Sequence, residues 1–218
     1  MSEKFKNKYR IDSNRWQFWD YSAPGSYFLT VCIFGRACIL GDIVGGKIKL
    51  SRYGEIIKNE FPKIPEYRPR ASLDVWVVMP NHVHCIITLG DYDFHNGIST
   101  VVANTDIDLN THVLVEKIHE FSLPEREREP EYERQRTEAI KQYRKRRRNM
   151  IIPKIMGKFQ MLTSRLINLL GETPGIKNWQ PNYHDHVIRN AASYERIKQY
   201  IINNPGKWAD DMFFDGDA

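Results

Sequence analysis

Asp74-Val75-Trp76-Val77-Val78-Met79-Pro80-Asn81-His82-Val83-His84-Cys85-Ile86-Ile87-Thr88-Leu89 carries two apolar runs that meet at a Pro-Asn corner. They read as two strands, Ser72 to Met79 and His82 to Leu89, paired antiparallel around Pro80-Asn81. Alternate residues of a strand share a face, so His82 and His84 project together, with Ile86 and Thr88 further along. Val83, Cys85, Ile87 and Leu89 form the other face, which is wholly apolar. Two imidazoles side by side on a strand make half of a metal site, and the rest of the chain must supply the other half.

Toward the N-terminus, Tyr27 to Phe34 is a continuous β-branched and aromatic run and reads as a central strand buried on both faces. Cys38 to Leu40 and Lys47 to Ser51 flank Gly45-Gly46, giving a short hairpin. Ile56, Ile57 and Phe61 recur at helical spacing from Arg52 to Phe61, and Pro62 and Pro65 stop that helix. Trp16, Phe18, Trp19 and Tyr21 crowd before Pro24-Gly25, a cluster that can cap the core or stack on bases, with capping the favoured reading. The order strand, hairpin, helix, strand, strand suits an α+β sheet better than a doubly wound parallel one.

After Leu89 the regular pattern breaks. Residues from about 90 to 150 read as an insertion: a polar loop, an amphipathic piece at Val113 to Phe121, and a charged helix from about Glu131. That helix has only a thin apolar stripe of Tyr132, Ala139, Ile140 and Tyr143, so it should project or pack lightly. Regular folding resumes at Pro153 in a helix with a stripe of Ile155, Phe159, Leu162, Leu166 and Leu169, ended by Gly171. Lys154, Lys158 and Arg165 lie away from that stripe. A last helix runs from about Ser193 to Asn204 and closes at Pro205-Gly206, with Tyr194, Ile197 and Ile201 on its core side. Tyr200 and Asn204, at i and i+4, share its edge and can address one point.

A chain of 218 residues, 41% hydrophobic, reads as one domain, with core segments 16–89 and 153–208 around the insertion. No apolar run approaches the roughly 18 residues of a membrane span, and Met1 to Lys8 lead into no signal-peptide core, which points to the cytoplasm. Cys32, Cys38 and Cys85 are odd in number and read as structural thiols. A net charge of +5 weakly favours a polyanionic partner. Most of the excess lies between Pro124 and Arg148, with ten Lys or Arg against six Glu, ending in Lys145-Arg146-Arg147-Arg148.

Three ordered strings now carry a resemblance: Trp76 to His84; Trp179-Gln180-Pro181 with His184-Asp185-His186-Val187-Ile188-Arg189; and Tyr200-Ile201-Ile202-Asn203-Asn204-Pro205. Together they resemble the REP-associated tyrosine transposases, of the HUH single-tyrosine superfamily. The resemblance implies a ferredoxin-like antiparallel sheet with packed helices. It implies Tyr200 as the nucleophile, and His82, His84 and Asn204 as holders of Mg²⁺ or Mn²⁺. The activity implied is a nuclease and strand transferase on single-stranded DNA beside a hairpin, through a 5′-phosphotyrosine intermediate and with no nucleotide cofactor. Lys154, Lys158, Arg165, Arg189 and the tract Arg146, Arg147, Arg148 are the candidate DNA contacts. Tyr200 can serve its own subunit or the partner of a homodimer. Two other readings stand beside this one: a domesticated regulator that binds repeats or hairpins without cutting, and a zinc hydrolase with Tyr200 as bystander, which a third imidazole or carboxylate beside the His pair would favour.

Overall fold

A computed structural model describes residues 19–90 and 130–214. Trp16, Phe18, the Val113 to Phe121 piece, and His95, His112 and His119 lie outside the described residues. Six strands and five α-helices follow in order: β1 (Gly25–Cys32), β2 (Gly41–Val44), β3 (Lys47–Leu50), α1 (Arg52–Glu60), α2 (Ile64–Tyr67), β4 (Ala71–Val78), β5 (His82–Leu89), α3 (Pro130–Arg148), α4 (Ile151–Leu170), β6 (His184–Ile188) and α5 (Ala191–Asn203).

The main sheet has the order β4-β5-β1-β6, and β2-β3 is a separate hairpin. Every pair is antiparallel, with Thr30 opposite both His84 on β5 and His184 on β6. Setting aside the hairpin, the short α2, the helix α3 and the final helix α5, the sequence of elements is β-α-β-β-α-β with the first and third strands central, the ferredoxin-like arrangement. The continuous apolar run of β1 earns its central place because both its faces are covered.

Each face of the sheet carries its own packing. Tyr27, Leu29, Val31, Val83, Cys85, Ile87 and Leu89 meet Ile57 and Phe61 near α1 and Ile155 and Phe159 of α4 in the principal core. Phe61 stacks on Trp76 at 5.3 Å and meets Phe159 at 4.4 Å between ring centres. On the opposite face Ile86 and Ile188 pack with Ile201 of α5, flanked by Phe28 and Val77. Phe159→Ala should cost about 3–5 kcal/mol, because the rings around it cannot collapse into the space. Denaturant unfolding checks this.

Four expectations change in detail. The strand from Tyr27 ends at Cys32, and Phe34 lies 55% exposed in a 3₁₀ turn, Phe34–Arg36. The first arm of the hairpin is Gly41–Val44 rather than Cys38 to Leu40, because the Leu40 backbone is committed elsewhere: its N–H donates to Pro80 O and its carbonyl accepts from Ser51. The helix starting near Pro153 begins at Ile151, and its buried stripe drifts from Ile155 and Phe159 to Thr163 and Ile167, leaving Leu169 76% exposed. Thr163 tolerates burial because its hydroxyl donates to Phe159 O at 2.8 Å and accepts the Trp179 indole N–H at 2.9 Å. Asn204, expected at a helix edge, is buried.

The charged helix is present as α3, and its second half touches the body: Ala139 is buried and the Arg147 guanidinium lies 5.3 Å from the centre of the Tyr21 ring. Tyr21 also joins the core, and Ser22 Oγ accepts the Ile151 N–H at 3.0 Å where α4 begins. Among the described residues no helix is long and apolar enough to cross a membrane.

Candidate active site

The Pro80-Asn81 corner delivers His82 at the start of β5. Asn81 is fully buried; its amide donates to Phe213 O at 2.8 Å, so its Oδ1 is left to accept from His82 Nδ1, also at 2.8 Å. That assignment puts the His82 proton on Nδ1 and leaves Nε2 with a lone pair. His84 Nδ1 bonds Thr30 Oγ1 at 2.8 Å, across the β1-β5 register. The two Nε2 atoms then face each other at 2.9 Å. Each imidazole is thus oriented through its other nitrogen, the arrangement that prepares histidine as a metal ligand.

The helix α5 brings the third group. Asn190 caps its start by accepting the Ser193 N–H, and Tyr194 Oη donates to Asp74 Oδ2 at 2.5 Å while Lys198 Nζ reaches the same oxygen at 3.0 Å. With Ile201 buried against Ile86, the helix is held on β4 and β5. Tyr200 Oη then lies 3.3 Å from His84 Nε2, its ring edge-on to Phe28.

Asp211 was not foreseen. A 3₁₀ segment, Asn204–Asp210, turns the chain back so that Asp211 Oδ2 accepts from Asn204 Nδ2 at 2.8 Å and from Tyr200 Oη at 3.4 Å. His82, His84 and Asp211 form the one group of potential metal ligands among the described residues, their ligand atoms within 4.8 Å of one another. Asn204 Oδ1 is buried beside them with no hydrogen-bond partner. The only sequence signal for Asp211 is an acid close after Asn204, and no spacing rule singles it out.

Burial pushes both imidazoles down from the usual histidine value, so they are neutral and keep their lone pairs at neutral pH. Burial, then the Asp211 charge, pushes the Tyr200 phenol up to about 12. The site therefore holds two unprotonated donors, a carboxylate and a neutral phenol. Phe213 lies over it, with ring centres 4.7 Å from His82 and 6.1 Å from His84.

The candidate DNA contacts are dispersed. Lys154, Lys158 and Arg165 belong to α4, which covers the opposite face of the sheet from the His pair, and Lys158 sits 4.0 Å over the Tyr67 ring. Arg146, Arg147 and Arg148 end α3, where Arg147 meets Tyr21. Arg189 is exposed between β6 and α5. Asp185 receives the Tyr21 hydroxyl and alternates away from His184 and His186, so that string makes no second ligand cluster.

No family model matches the chain. It is 26% identical over 202 residues to an uncharacterised protein of Haemophilus influenzae, covering 93% of this chain and 92% of that one. It is 24% identical over 190 residues to the REP-associated tyrosine transposase of Escherichia coli, covering 86% of this chain and 70% of that one. Among solved structures it is similar to a REP-associated tyrosine transposase bound to a REP hairpin, at 19% identity and a TM-score of 0.43, over 91% of this chain and 74% of the other. Over most of its length this chain is therefore similar to a REP-associated tyrosine transposase, and its His82-Val83-His84 and Tyr200 motifs meet at one site.

Proposed function

We propose that the protein is a divalent-cation-dependent nuclease and strand transferase that cuts single-stranded DNA beside a hairpin, with Tyr200 as its nucleophile. One observation carries the reading: the Tyr200 hydroxyl stands 3.3 Å from one of two imidazoles whose Nε2 atoms converge at 2.9 Å. The donor set fits a divalent cation. His82 Nε2, His84 Nε2 and the Asp211 carboxylate converge, and the orphaned Asn204 Oδ1 lacks only a positive partner. Mixed nitrogen and oxygen donors favour Mn²⁺ over Mg²⁺, which prefers oxygen alone. A cation held by these residues would supply Lewis-acid polarisation of the scissile phosphate and favour ionisation of the phenol.

The chain's own residues do the rest. Tyr200 must lose a proton, and the acceptors in reach are His84 Nε2 and Asp211 Oδ2. Were a cation held by His82 Nε2, His84 Nε2 and Asn204 Oδ1, Asp211 Oδ2 would be left to take the proton. The phenolate oxygen bonds phosphorus as the P–O3′ bond breaks; the 3′ oxygen leaves as a hydroxyl with the proton that Asp211 returns to it, and the 5′ phosphate stays on Tyr200. One phosphodiester replaces another, so a second 3′-OH can reverse the step without a nucleotide cofactor. Tyr200 reaches the His pair of its own chain, which supports action in cis.

Incubation with labelled hairpin DNA from the gene's own flanks, with Mn²⁺ or Mg²⁺, should give an SDS-resistant protein–DNA adduct that a chelator prevents. Tight binding with no adduct under either metal would leave the regulator. Asp211 beside the His pair favours one competing reading, a zinc hydrolase; that enzyme would cleave without an adduct, and Tyr200→Phe would leave its rate unchanged.

A phosphate reaches the imidazoles only after the Phe213 ring moves. If the open form is a minor state populated at about 10% or less, Phe213→Ala should speed adduct formation about tenfold or more. Single-turnover kinetics measure this.

A further inference from the structure

Phe213 is buried, yet the neighbours of its ring are polar. The Arg36 guanidinium carbon lies 5.6 Å from its centre, and the imidazoles of His82, His84 and His184 lie at 4.7, 6.1 and 6.0 Å. An apolar ring thus fills a space bordered by one fixed cation, a wall better matched to an anion.

Arg36 arrives there by an unusual backbone path. It has φ 57°, directly after Gly35 at φ 67°, in the left-handed region that non-glycine residues avoid. The turn is fastened on both sides: the Ile33 N–H donates to Asn81 O and the Phe34 N–H to Asn178 O, each at 2.8 Å, and the Arg36 N–H returns to Ile33 O at 3.0 Å. The corner that presents His82 and the segment leading to Trp179 therefore hold Arg36 in place.

We propose that Arg36 is a catalytic residue that grips the non-bridging oxygens of the scissile phosphate in the space Phe213 fills. The proposal rests on the nuclease reading, in which the phosphate must enter this space to meet both Tyr200 and the His pair. A guanidinium matches two phosphate oxygens with two parallel N–H donors, and it gains strength as charge builds on those oxygens in the transition state. If Arg36 only stacked on Phe213, its loss would loosen the fold without regard to substrate charge.

The test compares wild type, Arg36→Ala and Arg36→Lys on hairpin DNA carrying either a phosphate or an uncharged methylphosphonate at the scissile position. Arg36→Ala should slow adduct formation about 10²- to 10³-fold on the phosphate. The loss should nearly vanish on the methylphosphonate, with melting temperature and Mn²⁺ affinity unchanged. Arg36→Lys should recover part of the rate, because it restores charge without the fork. A wild-type rate in Arg36→Ala, or an equal loss on both substrates, overturns the proposal. If wild type forms no Tyr200-dependent adduct, the nuclease reading fails separately, and Arg36 is then judged by binding. Methylphosphonate substitution should weaken wild-type binding and leave Arg36→Ala unaffected; no such difference sinks the contact.

Discussion

Tyr200→Phe is expected to form no covalent adduct and to lose strand cleavage by at least about 10⁴-fold, because removing a nucleophile removes the bond-forming atom itself. The variant should bind hairpin DNA as wild type does. The phenol hydroxyl makes only long contacts, 3.3 Å to His84 and 3.4 Å to Asp211, and Tyr200 is 42% exposed, so the fold loses little when the oxygen goes. Denaturing gels read the adduct, and fluorescence anisotropy reads binding. Residual cleavage at the wild-type rate would move the nucleophile to water and favour the hydrolase. The phenol's raised pKa sharpens the expectation: in the cation-free site Tyr200 is neutral at pH 7, so adduct formation should depend on both cation and pH.

The second large effect belongs to the imidazoles. His82→Gln and His84→Gln should each weaken Mn²⁺ binding by at least about 100-fold, since disturbing only the outer partners of a ligand can cost up to that much. Calorimetry on the metal-free protein measures it, and adduct formation should fall in parallel. The same residues impose a pH dependence on stability. Their folded pKa values lie below the ordinary 6.5, so above pH 6.5 they are neutral in both folded and unfolded chains and cost nothing. As pH falls below 6.5 the unfolded chain takes up protons first, and stability drops until the folded pKa is reached. The wild-type melting temperature should therefore decline below pH 6.5, and His84→Gln should decline less. Added Mn²⁺ should raise the wild-type melting temperature more at pH 7 than at pH 5.5, where protons compete for the same lone pairs.

The site is rigid where the sheet holds it. Thr30 and Asn81 each fix one imidazole, and Asp74 anchors α5 through Tyr194 and Lys198. Asp74 is held below the usual carboxylate range, first by the Tyr194 hydrogen bond. The residues after Asn204 are a different matter. Asp211 joins the candidate ligand group and the Phe213 ring packs beside His82, so the last described residues border the site.

Local pattern determined much of this protein. The alternation from His82 to Leu89 assigned one polar and one apolar face, and the i, i+4 spacing paired Tyr200 with Asn204, because strand and helix periods are properties of the backbone alone. The continuous apolar run of β1 likewise announced a strand covered on both faces. Only the tertiary structure decided the rest. It placed Lys154, Lys158 and Arg165 behind the sheet, because α4 covers the apolar face of β5 while α5 takes the histidine face. It brought Asp211 to the His pair through a turn, and Arg36 to the same space through a left-handed residue. Such convergence depends on where separate segments cross the sheet, and no periodicity within a single segment records it.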